Sequence, residues 1–313
     1  DMNIQSYLEK HLEEMVTRFE VKNRACAILM NAKTGAIYGM AQYPSFDLNN
    51  PYAVSEAAEA EIKAIQNEDE ADKKLAQERE TQWRNKNISE RYEPGSVFKV
   101  ITSAEAFEEN LIDLDNDSFF CSGSVKFEGH SQPISCHNTL GHGAQSYQKA
   151  LTQSCNPAFM EIGARIGVTK FFDYFDAFGL SEQTGIDLPA ESWGVYPPTK
   201  SNVDLAVCSF GQGETITPIE MITSYCAAIN GGYLLQPYVV DKVLDEDGNV
   251  VFKNERTVRR QVVSEDTSAI MRDALYHVVA DNSGGNVNIK GYRIGGKSGT
   301  AQRLMETVDR KST

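Results

Sequence analysis

Apolar side chains recur at Ile4, Leu8, Leu12, Met15 and Phe19, a spacing of three to four residues that predicts a helix over residues 4–20. Two short apolar runs follow, residues 25–30 and 36–41, on either side of Asn31-Ala32-Lys33-Thr34-Gly35, and read as a hairpin with glycine in its turn. Residues 44–51, bounded by two prolines, read as loop. Between 54 and 82 the chain is rich in Glu, Lys and Ala and poor in large apolar side chains, which predicts a solvated helix or mobile segment without a chemical role. Val97, Val100, Ile101, Ala104 and Phe107 then mark the buried face of a helix running from Ser96 to Phe107. Pro157 and Gly167 bracket a further helix, proline suiting a first turn and glycine a C-terminal cap. Residues 212–229 read as helical up to Asn230-Gly231-Gly232, and residues 237–252 as a hairpin around Asp247-Gly248. Strands near both ends with helices between them predict an α+β fold, and no internal repeat is evident.

Composition narrows this picture only at its edges. The 313 residues allow one large domain or two smaller ones, and 41% apolar residues suffice for a buried core. A net charge of −14 argues against a nucleic-acid surface, which needs clustered Lys and Arg. No stretch approaches the roughly 18 apolar residues of a membrane span, and no signal-peptide pattern opens the chain.

Chemistry enters through three short motifs. Ser96 and Lys99 stand three apart, so a helix places both on one face. Pro94-Gly95 suits a turn that would put Ser96 at the helix N-terminus, where free N–H groups favour a developing oxyanion. Lys99, drawn into the apolar face, would be neutral enough to act as a base. Taken alone, the pair also reads as a capping serine and a snorkelling lysine. Ser154-Cys155-Asn156 before Pro157 likewise reads, alone, as an Asn N-cap ahead of a proline. Lys297-Ser298-Gly299-Thr300 closes the series. Gly291 through Ser298 also fits the phosphate-loop pattern G-x-x-x-x-G-K-[ST], but the residues before it are too polar for a central strand and Gly299 is a poor helix start. Residues 297–302 read better as an edge strand that aims a lysine and two hydroxyls at a substrate carboxylate. In this order the motifs supply a nucleophile, a base, a second hydroxyl, an amide and a positive edge, the needs of acyl transfer through a serine ester.

With these motifs, the chain resembles the transpeptidase domain of class B penicillin-binding proteins over nearly its whole length. Tyr92-Glu93-Pro94-Gly95-Ser96, Thr184-Gly185-Ile186-Asp187-Leu188-Pro189, Ser209-Phe210-Gly211-Gln212-Gly213 with Thr217-Pro218, and Gly296 through Gln302 are similar to blocks of that family. Ser298 stands where threonine is more usual, and the hydroxyl is kept. The resemblance implies an antiparallel sheet flanked by helices, with an all-helical subdomain. It also implies closing strands and a last helix after Gln302, and an N-terminal region with a membrane anchor, none of which is in this sequence.

The resemblance further implies a peptidoglycan D,D-transpeptidase outside the cytoplasm, acylated by stem peptides and by β-lactams. A membrane glycosyltransferase or a division or elongation assembly would be its partner. By the same resemblance, Ser96 is the nucleophile, Lys99 the base, Ser154 a proton relay and Asn156 a substrate-amide ligand. Lys297 sets the positive field, Ser298 and Thr300 bind the terminal carboxylate with Gly299 between them, and the N–H groups of Ser96 and Thr300 form an oxyanion hole. A β-lactamase and a β-lactam sensor are the alternatives; the former needs a carboxylate-activated water, and no Glu-x-x-Leu-Asn string occurs. No cofactor is required for this catalysis.

Cysteine usage raises a second candidate site. Cys26, Cys208 and Cys226 sit in apolar runs and read as buried thiols. Cys121 and Cys136 instead lie near His130, His137 and His142. Thiolate and imidazole make a zinc ligand set, here Cys121, Cys136 and His142, with His137, His130 or a nearby Asp as the fourth. A disulfide between the two cysteines and a pair of inert thiols are the other readings.

Overall fold

The computed structural model describes residues 1–21, 24–114, 116–127, 132–281, 287 and 289–301. Helix α1 (Met2–Arg18), capped by the Asp1 carboxylate, lies on a hairpin of β1 (Ala25–Met30) and β2 (Ile37–Tyr43). Its inward face is Ile4, Leu8, Leu12 and Val16, while Met15 and Phe19 are exposed. The charged stretch that follows folds into α2 (Glu56–Lys63) and α3 (Glu68–Trp83), neither with a buried residue, and then a short α4 (Lys86–Ser89). Their side-chain caps from Ser55 and Asn67 explain why so polar a segment is helical at all.

The core begins at the next element. A 3-10 turn at Gly95–Val97 leads into α5 (Lys99–Glu108), where nine of the ten residues are buried. Phe98 sits at its entry, with ring centroids 6.1 Å from Phe171 and 5.9 Å from Phe175. Those two rings belong to α8 (Val168–Ala177), reached through α6 (Tyr147–Thr152) and α7 (Asn156–Ile166). Each such aromatic side chain contributes roughly 1.5–3 kcal/mol by burial, so α5 is anchored at its start by a buried aromatic cluster.

Between α5 and α6 lies a small β region. Strand β3 (Ser118–Cys121) pairs with β6 (Gly143–Ser146), and β4 (Ser124–Val125) with β5 (Ile134–Ser135), both antiparallel. After α9 (Asn202–Cys208) the chain reaches α10 (Pro218–Ile229), which begins at a Thr217–Glu220 capping box. The sequence pattern started this helix at Gln212. Residues 212–217 are instead non-helical, because positive-φ glycines at 211 and 213 and the cap at Thr217 fix the later start.

Strand β7 (Tyr233–Leu235) pairs with β10 (Val258–Gln261) around the exposed hairpin of β8 (Lys242–Leu244) and β9 (Val250–Lys253), and α11 (Glu265–Ala280) packs back on α5, α6 and α10. Helices and antiparallel strand pairs confirm an α+β fold. One expectation fails. Residues 297–301 have no regular secondary structure, because a strand needs a hydrogen-bonded neighbour and none pairs with them among the described residues. Gln302 lies outside those residues. No helix among them is long and apolar enough to cross a membrane.

Candidate active site

The three motifs, far apart in sequence, meet at the Ser154 hydroxyl, which both Lys99 and Lys297 reach. Lys99 has no exposed surface, and its Nζ lies 3.0 Å from Ser96 Oγ, 3.1 Å from Ser154 Oγ, 2.8 Å from the Ser154 carbonyl oxygen and 2.8 Å from Asn156 Oδ1. Two of these four, the carbonyl and the amide oxygen, can only accept hydrogen bonds. A neutral amine has two N–H groups and one lone pair. In that form it would satisfy both oxygens with its protons and leave the lone pair for the Ser96 hydroxyl. The buried pocket favours that neutral form. Desolvation, then the positive charge of Lys297, pulls the Lys99 ammonium down to about 7, while the thiols of Cys136 and Cys155 act the other way.

Local backbone explains how each group arrives. Gly95 has φ +59, and a Cβ there would come within 2.6 Å of the Thr300 carbonyl oxygen. Only glycine lets the Ser96 turn and the last motif approach so closely. Its N–H donates to the Gly211 carbonyl at 2.8 Å, which joins the 209–213 block to the same turn. Ser154 sits between α6 and α7 with φ +54, a left-handed conformation costing on the order of 1–2 kcal/mol for a residue with a Cβ. That bend presents both its carbonyl and its hydroxyl to Lys99. Asn156 is the first residue of α7 rather than its cap, which is Cys155, so its side chain is free to face the site. Its Nδ2 donates to the Ser135 carbonyl at 3.3 Å.

Lys297 approaches from the opposite side, its Nζ donating to Ser154 Oγ at 3.0 Å and to the Ser298 carbonyl at 3.0 Å. Burial brings its ammonium down to about 8. Gly299 packs against Pro94 and Val97, and Ser298 and Thr300 line a cavity of about 680 Å³ in front of Ser96. Ser96, Ser154, Asn156, Ser298 and Thr300 thus line this cavity, and Lys99 and Lys297 reach it through Ser154 Oγ.

Behind one wall of the cavity is the cysteine cluster. Ligand atoms of Cys121, Cys136, Cys155 and His142 lie within 4.8 Å of one another, and the three cysteines are buried. The fourth member is Cys155, not His137 or an aspartate; His130 lies outside the described residues. His137 Nδ1 stands 3.8 Å from Cys136 Sγ but is outside the four-atom group. All six cysteines are free, so Cys121 and Cys136 form no disulfide. The hydrogen bond from the Cys155 thiol holds Cys136 well below the ordinary thiol range, and the same bond pushes Cys155 up. The sequence pattern named no role for Cys155, although a third cysteine close after two others was the available signal. Phe159 was also missed: its ring, one turn along α7 from Asn156, lies 5.3 Å below Lys99 Nζ.

The family model for the penicillin binding protein transpeptidase domain matches residues 25–313. Stage V sporulation protein D of Bacillus subtilis is 35% identical over 98% of this chain and 44% of its own length. PbpB, a penicillin-binding protein of Mycolicibacterium smegmatis, is 28% identical over 97% and 44% respectively. The chain thus spans less than half the length of these relatives. Among solved structures, apo penicillin binding protein 3 of Mycobacterium tuberculosis superposes with a TM-score of 0.80 at 26% identity, covering 98% of this chain and 64% of that one. The D,D-transpeptidase domain of an Eggerthella lenta peptidoglycan glycosyltransferase gives 0.75 at 26%, covering 90% and 67%. Motifs, fold and matches agree: the chain belongs to the penicillin-binding-protein transpeptidase family.

Proposed function

We propose that the chain catalyses D,D-transpeptidation of peptidoglycan stem peptides through an acyl-Ser96 intermediate, and that β-lactams acylate the same hydroxyl. The observation that carries this reading is the buried Lys99 amine 3.0 Å from Ser96 Oγ with its other neighbours arranged as acceptors. Lys99 takes the Ser96 proton as Oγ attacks the carbonyl of the penultimate D-alanine. Backbone N–H groups of Ser96 and Thr300 receive the developing oxyanion. Ser154, within reach of both lysines, returns a proton to the departing amine. Asn156 holds a substrate amide, and Lys297, Ser298 and Thr300, with Gly299 keeping the segment close, receive the terminal carboxylate. Relatives named for sporulation and for peptidoglycan transpeptidation support a site of action outside the cytoplasm, and the same reading includes a membrane anchor and a glycosyltransferase partner. Intact-mass measurement after exposure to a β-lactam is expected to show one adduct per chain, absent in Ser96→Ala. An adduct that survives that substitution removes Ser96 from its role, and rapid sustained hydrolysis of the drug favours the β-lactamase alternative.

The cysteine cluster is read as a structural zinc site. Three thiols and an imidazole are a zinc donor set, and tetrahedral bonds of about 2.3 Å to sulfur need only a small contraction of the observed spacing. Buried thiolates without a cation would be costly, so the metal would hold β3, the 134–142 segment and α7 together. Metal analysis of the purified chain should return one zinc, and cobalt in its place should show thiolate charge-transfer absorption. A folded, active chain without stoichiometric metal rejects the site.

A further inference from the structure

Transpeptidation joins two peptides, and the residues assigned so far serve only the first. The departing amine leaves at Ser154 Oγ, so by microscopic reversibility the incoming amine must enter there. The cavity there is lined by Ser298 and Thr300 and by a wall that follows β5, from which Ser135, His137 and Thr139 reach it. These alternate residues are all exposed, whereas Cys136 between them is buried in the cluster. Strand pairing ends at Ser135, and a bend at residues 137–138 followed by a turn at 139–140 brings the three side chains to the cavity.

The wall is rigid. The Cys136 N–H donates to the Gly123 carbonyl at 2.8 Å, and the Ser135 carbonyl accepts from Asn156 Nδ2 at 3.3 Å. Gly123, at φ +96, is so close that a Cβ on it would lie 2.1 Å from the Thr139 carbonyl oxygen. The open face offers two hydroxyls and an imidazole, without a carboxylate, lysine or arginine. Such a surface recognises neutral amide groups by hydrogen bonds rather than a charged end by ion pairing.

We propose that Ser135, His137 and Thr139 form the seat of the acceptor, the second stem peptide, whose free side-chain amine attacks the acyl-enzyme. In that step the acceptor nitrogen bonds to the ester carbonyl carbon and the bond from that carbon to Ser96 Oγ breaks. The nitrogen's proton passes through Ser154 Oγ to Ser96 Oγ, which regenerates the hydroxyl. The proposal rests on the transpeptidase reading and adds to it which surface selects the second substrate.

The test separates the two. A thioester analogue of the donor acylates the chain, and a soluble stem pentapeptide with a free side-chain amine competes with water for the acyl group. In the double variant His137→Ala, Thr139→Val, the ratio of amide product to hydrolysis is expected to fall about tenfold, the loss from one or two hydrogen bonds, while the β-lactam acylation rate stays within twofold of the parent. An unchanged ratio overturns the seat, as does a parallel fall in β-lactam acylation, which would mean that the wall serves the donor or the fold. A parent chain that acylates yet forms no amide with this peptide also overturns it. A parent chain that β-lactams do not acylate instead defeats the underlying transpeptidase reading.

Discussion

Lys99 and Lys297 both reach Ser154 Oγ, at 3.1 and 3.0 Å, yet they are held in opposite ways. Lys99 lies in the first turn of a helix whose apolar face is sunk in the aromatic core, and four oxygens fix its amine. Lys297 belongs to a segment without regular structure and is positioned by its own hydrogen bonds and by the close fit of Gly299 on the Ser96 turn. Packing preorganises one half of the site, and electrostatics and a few contacts hold the other. The first should tolerate little chemical change, and the second should respond to charge and pH.

The largest expected effect is at Lys99. Arginine keeps the charge but cannot give up its proton at working pH, so Lys99→Arg should acylate at least ~100-fold more slowly, the low end of a general base's contribution. Lys99→Ala should also fold, as shown by a thermal melt, because a buried ammonium is costly. Second-order acylation rates with a fluorescent penicillin check both variants. A near-parental rate for arginine would show that proton removal lies elsewhere.

A smaller effect is expected at Lys297. The charged ammonium of Lys99 is inactive as a base, so the acylation rate should rise with pH through about 7, where its proton leaves. Lys297 helps to lower that value. Removing its charge in Lys297→Met should therefore move the midpoint to higher pH, alongside a rate loss of about tenfold at neutral pH, the scale of one charge-assisted hydrogen bond. A rate–pH profile shows whether the midpoint moves. A rate loss with a fixed midpoint would confine Lys297 to substrate binding.

The smallest change is at Phe159. Its ring face favours the Lys99 ammonium, an attraction of roughly 0.5–2 kcal/mol. Phe159→Leu should shift the same midpoint downward by about 1.5 pH units or less, opposite in sign to Lys297→Met. Equal signs from the two variants would remove electrostatics as their common cause.

How much of this was readable depended on whether a signal was local. Ser96, Lys99, Ser154, Asn156 and Lys297 are marked by neighbours in sequence, and α5 by a clean helical period, so both could be placed without coordinates. The same period puts Glu105 four residues from Ile101 on the inner face, and Glu105 is wholly buried, a carboxyl pushed well up by desolvation. Folding together of distant segments left no comparable trace. Nothing local announces the left-handed turn at Ser154 or the closeness of Gly95 to Thr300. The edge strand expected from residue 297 onward is absent over the described residues 297–301, for the related reason that pairing belongs to two segments and a periodicity to one. Cys155 fell between the cases: the residue was visible, but the fourth ligand for Cys121, Cys136 and His142 was expected from His137, His130 or an aspartate nearer along the chain.

Cys155 has one more consequence, in mutational terms. Of the three residues in Ser154-Cys155-Asn156 the middle one is nominally free, yet its neighbours face the cavity while its own side chain is committed to the cluster behind. A saturation library at this position should therefore retain very few alternatives. Any bulkier side chain would displace the hydroxyl and the amide that flank it, so this position should constrain how far the surrounding loop can diverge.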